Sequence, residues 1–591
     1  MRRKPKGRLE LTWMGKDSAL IPAEDGKYDY SWVAPTDPRA LEVKSINPTA
    51  NIGAADGPTG ADENLLIVGD SGDALRSLGT IPEYASRYLG AVKLVYIDPP
   101  FNTSQTFEHY NDQLEHSIWL TMMRDRIRDI KPLLASDASI WVHLDDAEVH
   151  RMRILLDEEF GAGNFIAEVI WEKADSPNNS ARYLSKDTDT ILAYAADKDI
   201  WHPNRLPRTA SDDAHYANPD TDPLGRWYPG DPFANKPYSL GQYEVTGPTG
   251  RAFSPPPGRF WRISQERFIS LDREGRIWWG PEGSARPSIK RYLHEVEGVT
   301  PRTLWRHQQV GSNRTSKNEM RGLFPGLTSF TTPKPERLIE RIVQIASNPG
   351  DLVLDCFAGS GTTAAVAHKM GRRWVTVELQ PSTVETFIVP RLTKVVDGKD
   401  PGGITSKKER VAVADLPEGM SPEDAQQFNT LLTRAAKAVD GLDPATLKAL
   451  RAATRTRDEV TVQWEGGGGF TVAHMGPSMY DVDDETGDVF LSRHATNGAW
   501  SKAIAGQLRF TLTPDHPVFC GVRGRQRLAV IDGVANETII NTIVEQLGDR
   551  EKAVIVAKAV TAEAATLLQQ LSPGSRIRKA PGDLFPKGTT K

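Results

Sequence analysis

Short apolar runs that end in an acidic residue are the clearest pattern along the chain. Residues 92–97 are apolar and rich in strand-forming side chains, and Asp98, Pro99 and Pro100 follow them directly. Such a run predicts a buried strand. Because proline cannot continue a hydrogen-bonded ladder, the chain must leave the sheet at this point. Asp98 is therefore predicted at the carboxyl edge of a strand, where open α/β sheets bind their ligands.

A second stretch predicts a strand–helix–strand unit. Asp355 ends an apolar run, Gly359 and Gly361 lie in the turn that follows, and Glu378 ends the next predicted strand. Glycines in such a turn let the backbone approach a ligand, and an acid about 20 residues further on can bind a ribose diol. No lysine follows in the spacing of a phosphate-binding loop. Adenosine with a non-phosphate tail fits better, and S-adenosylmethionine is the predicted cofactor.

The first motif suits alkylation of the weakly nucleophilic exocyclic amine of a base. The Asp98 carboxylate and the Pro99 carbonyl could accept both N–H hydrogens, which would hold the nitrogen in a more pyramidal and more nucleophilic state. Phe101 offers a face on which a flipped-out base could stack, a contact worth roughly 1–3 kcal/mol. The predicted catalytic residues are Asp98, Pro99, Pro100 and Phe101.

Together, and in this order, the two motifs resemble the β-class amino methyltransferases of DNA. In that family the Asp-Pro-Pro-aromatic motif precedes a target-recognition region, and the glycine motif of the cofactor site comes last. The segments 64–70, 119–126, 139–146 and 334–339 are also similar to the family. The residues predicted to bind the cofactor are Asp70, Lys334, Pro335, Asp355, Phe357, Gly359, Gly361 and Glu378.

The resemblance implies an α/β fold. It would be a doubly wound, circularly permuted Rossmann-like methyltransferase sheet with an inserted target-recognition region and a small C-terminal α/β module. Strands ending near Asp70 and Asp98 would come from the amino half, and strands ending at Asp355 and Glu378 from the carboxyl half, packed as one sheet. The predicted boundaries are 1–60 for an N-terminal arm, 61–173 for the catalytic half, 174–330 for the inserted recognition region, 331–405 for the cofactor half and 406–591 for a module that serves dimerisation or partner docking.

The inserted region resembles the modification subunits of type III restriction-modification systems. Residues 226–231, 256–262 and 289–295 carry this likeness, and residues 8–17 extend it towards the N-terminus. Phe101 departs from the commonest form of the family, since many relatives have tyrosine there. The resemblance implies double-stranded DNA as substrate, a homodimer, and a restriction (helicase-nuclease) subunit as a further partner.

One segment of the chain is basic although the chain as a whole is acidic. The whole chain is formally −5, yet residues 251–320 contain thirteen Lys plus Arg against seven Asp plus Glu, a balance of +6. Cations can neutralise phosphates, and the aromatic residues between them could stack on bases or enter a groove. Core positions are the simpler interpretation of Trp278 and Trp279. The predicted DNA-binding residues are Arg259, Arg262, Arg276, Lys290, Arg291 and Arg306.

The remaining composition is that of a large globular protein, with 39% hydrophobic and 25% charged residues among 591. Two cysteines, Cys356 and Cys520, exclude a disulfide framework and a cysteine-based zinc site, and no metal is expected. No run approaches the roughly 20 apolar residues of a membrane span, so a cytoplasmic enzyme without membrane association is expected. Residues 423–453 are predicted to be mostly helical, residues 466–469 to form a turn, and residues 528–571 to form a small α/β module.

Two alternatives remain open. The first is a methyltransferase with another acceptor: N4 of cytosine is also a weakly nucleophilic exocyclic amine, and related sites act on RNA or protein. Asp98 before the prolines favours adenine, but only by resemblance to the family. The other alternative is a catalytically silent DNA-specificity subunit that retains the fold, although the residues of both motifs are intact. An orphan methylase without a nuclease partner would have the same sequence features.

Overall fold

The computed structural model describes residues 10–22, 29–54, 60–100, 115–328, 330, 332–413, 415–417, 419–439, 443–483, 485–486 and 488–585. Phe101, the predicted stacking residue, lies outside this part of the chain. None of the described helices is long and apolar enough to cross a membrane.

Strands and helices are numbered in chain order. The strands are β1 (Ala19–Pro22), β2 (Tyr30–Val33), β3 (Ile46–Gly53), β4 (Leu65–Val68), β5 (Val92–Ile97), β6 (Leu134–Leu144), β7 (Phe165–Glu172), β8 (Thr188–Ala195), β9 (Trp227–Gly230), β10 (Phe233–Ala234), β11 (Val245–Thr246), β12 (Ala252–Phe253), β13 (Phe260–Trp261), β14 (Ile277–Trp278), β15 (Ser288–Tyr292), β16 (Leu304–Trp305), β17 (Leu352–Asp355), β18 (Arg373–Glu378), β19 (Ser406–Ala412), β20 (Thr456–Val462), β21 (Gly469–Met475), β22 (Tyr480–Val482), β23 (Val489–Leu491), β24 (Thr511–Leu512), β25 (Gly521–Arg523), β26 (Gln526–Ala535), β27 (Lys552–Val560) and β28 (Arg576–Lys579). The α-helices are α1 (Pro38–Leu41), α2 (Ser71–Thr80), α3 (Pro82–Tyr88), α4 (His116–Ile130), α5 (Val149–Leu156), α6 (Ala210–Asp213), α7 (Gln265–Arg273), α8 (His307–Val310), α9 (Asn313–Leu323), α10 (Glu336–Ala346), α11 (Thr362–Lys369), α12 (Pro381–Thr383), α13 (Val389–Val396), α14 (Pro422–Ala438), α15 (Pro444–Ala453), α16 (Asn497–Gln507), α17 (Glu537–Glu545) and α18 (Ala562–Leu571).

A ten-stranded sheet forms the centre of the larger of two compact units. Its strand order is β16-β7-β8-β6-β5-β17-β18-β4-β21-β3. The strands from β6 to β21 in this order run parallel to one another, whereas β8 and β3 run antiparallel to their neighbours. β5 is apolar along nearly its whole length and buried, as strands of parallel sheets are when both faces are covered. This is the predicted doubly wound α/β architecture.

The two halves of the sequence join in this sheet, which confirms the permuted arrangement. β17, from the carboxyl half, lies between β5 and β18, with Leu354 opposite Val95 and Val375. β18 in turn pairs with β4, with Glu378 opposite Val68. The strands that precede the four predicted acidic residues are therefore consecutive neighbours in the order β5-β17-β18-β4.

The larger unit comprises Met1–Asn204, Arg302–Lys407 and Val462–Lys591. Within the predicted inserted region 174–330, β8 and β16 belong to the central sheet of this unit, and the predicted domain bounds stay a prediction. β21 also enters the central sheet, between β4 and β3, immediately after the predicted turn at residues 466–469. The predicted small α/β module is present as a separate sheet of five strands, β24 to β28, with α17 and α18 in the connections.

The smaller unit comprises Arg205–Pro301 and Lys408–Thr461. In its first segment, short antiparallel strands surround an aromatic core that contains Trp261, Phe268 and Trp279. Trp279 is 6% exposed and donates a hydrogen bond from Nε1 to Asp272, so its predicted core role is confirmed. The second segment contains α14 and α15, as predicted for residues 423–453.

Candidate active site

A cavity opens where β5, β17 and β18 end. Parallel strands end at one edge of a sheet, so the acidic residue at each strand end is brought to the same place. Both halves of the chain contribute to the cavity wall. The predicted site residues that line it are Asp98, Pro99, Pro100, Lys334, Asp355, Phe357, Gly359 and Glu378.

Asp98 forms an ion pair inside this cavity with Lys334 from the carboxyl half. The Lys334 ammonium donates to Asp98 Oδ2, and the lysine side chain is only 7% exposed. Asp98 Oδ1 is also buried, but it has no hydrogen-bond partner among the described residues. A buried oxygen without a hydrogen bond lowers the stability of the folded chain. A ligand that donates a hydrogen bond to Asp98 Oδ1 would remove this cost, so the carboxylate is suited to bind such a ligand.

The strand end itself is anchored from α4. Trp119, which is fully buried, donates from its indole Nε1 to the Pro100 carbonyl over 2.7 Å. The two prolines leave the backbone little freedom between Asp98 and this anchor. The position of the Asp98 carboxylate is therefore set by the strand before it and by α4 after it.

Two further carboxyl groups line the same cavity and are fully buried. Burial raises the pKa of Asp355 to about 7, against hydrogen bonds from Thr363 and from the Phe357 N–H, 3.0 Å away. Burial likewise raises the pKa of Glu378 to about 7, against the N–H groups of Gln380 and Gly359. Both carboxyl groups therefore titrate near neutral pH. As the pH rises, a larger fraction of each is ionised, which favours binding of a cationic ligand.

The glycine turn depends on left-handed backbone at two positions. Gly359 has φ +53° and Gly361 has φ +73°, a region that other residues seldom adopt. The Gly359 N–H donates to Glu378 Oε2 over 2.9 Å, which ties the turn to the end of β18. Gly361 caps the start of α11. The left-handed backbone is therefore a sufficient reason for glycine at both positions, whether or not a ligand also approaches the turn closely.

Three of the predicted cofactor residues are not among those lining the cavity: Pro335, Gly361 and Asp70. Pro335 is buried at the N-terminus of α10. Asp70 caps α2 through the N–H groups of Gly72 and Asp73, and its Oδ2 accepts from Arg126 over 2.7 Å. Burial would raise the pKa of Asp70, but Arg126 and these N–H groups outweigh it and lower the pKa. Their cofactor contacts stay predictions.

A buried row of polar side chains beside the cavity was missed by sequence reasoning. Tyr96 lines the cavity, and its hydroxyl lies 2.9 Å from His143 Nδ1. His143 Nε2 lies 3.3 Å from Asp189, which also accepts from Lys173 over 2.7 Å. One signal was available for Tyr96, because it lies two residues before Asp98 in a strand and therefore on the same face.

The electrostatics of this row define its protonation. Burial, with the nearby Lys334 charge, lowers the pKa of His143, so its ring is neutral at pH 7. Burial alone would raise the pKa of Asp189, but the hydrogen bond from His143 and the nearby Lys173 charge bring it to about 2. The histidine proton therefore lies on Nε2, towards the Asp189 carboxylate, and Nδ1 accepts from the Tyr96 hydroxyl.

Most of the predicted DNA-binding cations already have partners within the smaller unit. Arg259 pairs with Asp231 over 2.5 Å, and Arg276 pairs with Glu295 over 2.6 Å. Lys290, only 5% exposed, pairs with Asp220 and Asp222. Arg262 donates to the Phe233 carbonyl, while Arg291 and Arg306 are exposed. The paired cations stabilise this unit, and direct DNA contact by any of the six stays a prediction.

The sheet order and the site define a class: an α/β protein with a ligand cavity at the carboxyl edge of parallel strands, built by two halves in permuted order. Residues 92–389, half of the chain, match the DNA methylase family, and the protein belongs to that family. The match spans the strand before Asp98, the glycine turn and Glu378.

Several curated proteins are similar over about half of the chain. The type III restriction-modification enzyme StyLTI Mod subunit of Salmonella typhimurium is 28% identical over 51% of this chain and 49% of its own length. The type II methyltransferase M.EcaI of Enterobacter cloacae is 30% identical over 48% of this chain and 61% of its own. The HindVI Mod subunit of Haemophilus influenzae, named as a probable type III enzyme, is 28% identical over 58% and 52%. The chain thus spans about half the length of these relatives.

Similarity to solved structures is weaker. The PvuII DNA methyltransferase (cytosine-N4-specific) has a TM-score of 0.32 and 16% identity, covering 58% of this chain and 90% of that one. A complex of M1.HpyAVI with SAM has a TM-score of 0.28 and 15% identity, covering 55% and 97%. The fold assignment therefore rests on the strand order and register of the chain itself.

Proposed function

We propose that the chain is a site-specific DNA methyltransferase that transfers a methyl group from S-adenosylmethionine to N6 of a flipped-out adenine. One observation carries the proposal. Asp98 Oδ1, a buried carboxylate oxygen without a partner among the described residues, belongs to the same cavity as the Gly359 turn and Glu378. An acceptor for an amine and a cradle for adenosine thus share one space within a DNA methylase family member.

The residues of the cavity fit S-adenosylmethionine. The Asp355 and Glu378 carboxyl groups complement a cationic ligand with a ribose diol, and Phe357 with the Gly359 turn provides an apolar and close-fitting wall. The bound cofactor would supply an electrophilic methyl group on a sulfonium. Asp355 and Glu378 would orient it, while burial of both carboxyl groups keeps their interactions with it strong.

The chain's own part in the reaction is positioning. Lys334 holds Asp98 Oδ2, which leaves Oδ1 to accept one N–H of the adenine amine. The Pro99 carbonyl is proposed to accept the other N–H, and Phe101 to stack on the flipped base. Holding the nitrogen in line with the methyl group converts a slow encounter into an oriented transfer within the site.

The similar Mod subunits are named as parts of type III restriction-modification enzymes. That similarity supports a proposal that this chain acts as the modification and recognition subunit of such a system, on double-stranded DNA and with a helicase-nuclease partner. A homodimer is part of the same proposal. The substrate and cofactor both suit a reaction in the cytoplasm.

The test is incubation of the full chain with labelled S-adenosylmethionine and mixed-sequence DNA, followed by mass spectrometry of the nucleosides. N6-methyladenine is expected, and Asp98→Ala should abolish it while cofactor binding persists. The exposed Asp146→Ala, on the loop after β6, is the control that should keep activity. N4-methylcytosine would establish the cytosine alternative. Cofactor binding without transfer to DNA, alone or with a restriction subunit added, would contradict the proposal.

A further inference from the structure

One face of α9 carries only cationic and amide side chains. Ser316, Met320 and Leu323 are buried on its inner face. The outward positions repeat at intervals of three and four residues, which places them in one row along the helix. They are the exposed residues Asn313, Arg314, Lys317, Asn318 and Arg321.

The one acidic residue of this helix is turned away from the row. Glu319 Oε2 accepts a hydrogen bond from the Glu336 N–H at the start of α10, over 3.1 Å. Burial raises the pKa of Glu319 to about 7, with the neighbouring Glu336 charge adding to the rise. The outward row therefore presents three cations without a carboxylate of its own helix between them.

The row forms one wall of an open groove, whose other wall is the segment 173–175 after β7. Asp175 pairs with Arg314 over 3.3 Å, and the Arg314 side chain is still 67% exposed. Lys317 and Arg321 have no carboxylate partner within the described part of the chain. By contrast, two of the cations that the sequence predicted to bind DNA, Arg276 and Lys290, are already paired with carboxylates.

The groove, hereafter the α9 groove, lies beside the candidate active site within the larger unit. The Asn313 N–H donates to the Lys173 carbonyl over 2.9 Å. Lys173 pairs with Asp189, which contacts His143 and through it Tyr96 in the wall of the cavity. On its other side, Glu319 contacts Glu336, two residues after Lys334. The groove therefore opens at the same edge of the sheet as the cavity that contains Asp98.

We propose that the α9 groove binds the backbone phosphates of duplex DNA next to the nucleotide that enters the cavity. This inference rests on the proposed function. Seven residues separate Arg314 from Arg321, about 10 Å along the helix, so the three cations are spread along the groove and can contact successive phosphates of one strand. The guanidinium group of an arginine can donate two hydrogen bonds to the oxygens of one phosphate. Lys317 adds a single positive charge between the two arginines.

The test compares two triple variants of the full chain. Arg314→Gln, Lys317→Gln and Arg321→Gln together remove the cations of the groove. The matched control replaces three exposed cations elsewhere in the larger unit: Lys198→Gln, Arg525→Gln and Arg550→Gln. Binding of a fluorescent mixed-sequence duplex is measured by anisotropy over a series of NaCl concentrations.

The groove variant should bind DNA at least about tenfold more weakly than the control. Its slope of log K against log salt should be shallower by about 0.9 for each phosphate that the removed cations no longer neutralise. Its melting temperature and its affinity for S-adenosylmethionine should match those of the control, because all three positions are exposed. The single variant Lys317→Gln should lower the slope by about one on the same argument.

Equal affinity and equal slope in the two triple variants would overturn the α9 groove while leaving the proposed function intact, provided that the native chain binds and methylates DNA. Failure of the native chain to bind DNA at all would overturn both.

Discussion

The carboxyl group of Asp355 couples cofactor binding to pH. Its pKa is about 7 in the folded chain because the group is fully buried, and the adjacent Asp98 charge adds to the rise. Such a group is ionised to about one-tenth at pH 6 and about nine-tenths at pH 8. S-adenosylmethionine carries a sulfonium and an ammonium, and it should bind the ionised form. Ionisation of Asp355 alone is therefore expected to raise the affinity about tenfold between pH 6 and pH 8, and ionisation of Glu378 adds to that change.

Calorimetric titrations at the two pH values, in buffers of different ionisation enthalpy, measure both the affinity and the protons released. The Asp355→Asn variant should release one proton fewer and show a correspondingly flatter pH dependence. Glu378 also has a pKa of about 7, so Glu378→Gln is the comparison that removes its share and keeps that of Asp355. A native affinity that does not change between the two pH values, or a full slope in Asp355→Asn, would refute the reasoning.

The pH dependence of folding stability has the opposite sign to that of cofactor affinity. The folded chain holds the Asp355 proton more tightly than the unfolded chain, where the group returns to its usual pKa of about 4. Stability without cofactor should therefore fall as the pH rises from about 4 to about 7, and the stabilisation by added cofactor should grow over the upper part of that range.

Two substitutions of buried lysines separate catalytic from structural roles. Lys334→Met should lower the rate of methyl transfer by roughly a hundredfold, because Asp98 loses the partner that positions it, with little change in cofactor affinity. If instead the dissociation constant of the cofactor rises in step with the rate loss, Lys334 contacts the cofactor directly. Lys290→Met leaves Asp220 and Asp222 without their shared cation and should destabilise the smaller unit by about 2 kcal/mol or more in urea unfolding. Unchanged stability with weakened DNA binding would contradict that structural role.

Local sequence patterns were enough to predict the elements of the site and where they end. Apolar runs stopped by Asp98 and its prolines, by Asp355 and by Glu378 were sufficient for three strands and for the edge where their acids meet. Glycines at 359 and 361 marked the turn, because left-handed backbone is open to few other residues. These signals are local, since burial and turn conformation select residue types within a few positions of one another.

Contacts between side chains that are distant in the sequence could not be predicted in this way, because they depend on how the strands and helices pack. Lys334 and Asp98 are 236 positions apart, and their ion pair follows from the packing of α10 and β5 in a sheet built by both halves. The row Tyr96, His143 and Asp189 depends on the neighbouring order of β5, β6 and β8. Likewise, nothing in the local pattern distinguishes a paired cation such as Lys290 from an open one such as Lys317. The partner of a charge is set by strand order and register, which arise from contacts across the whole chain, whereas a periodic pattern records only the environment of its own segment.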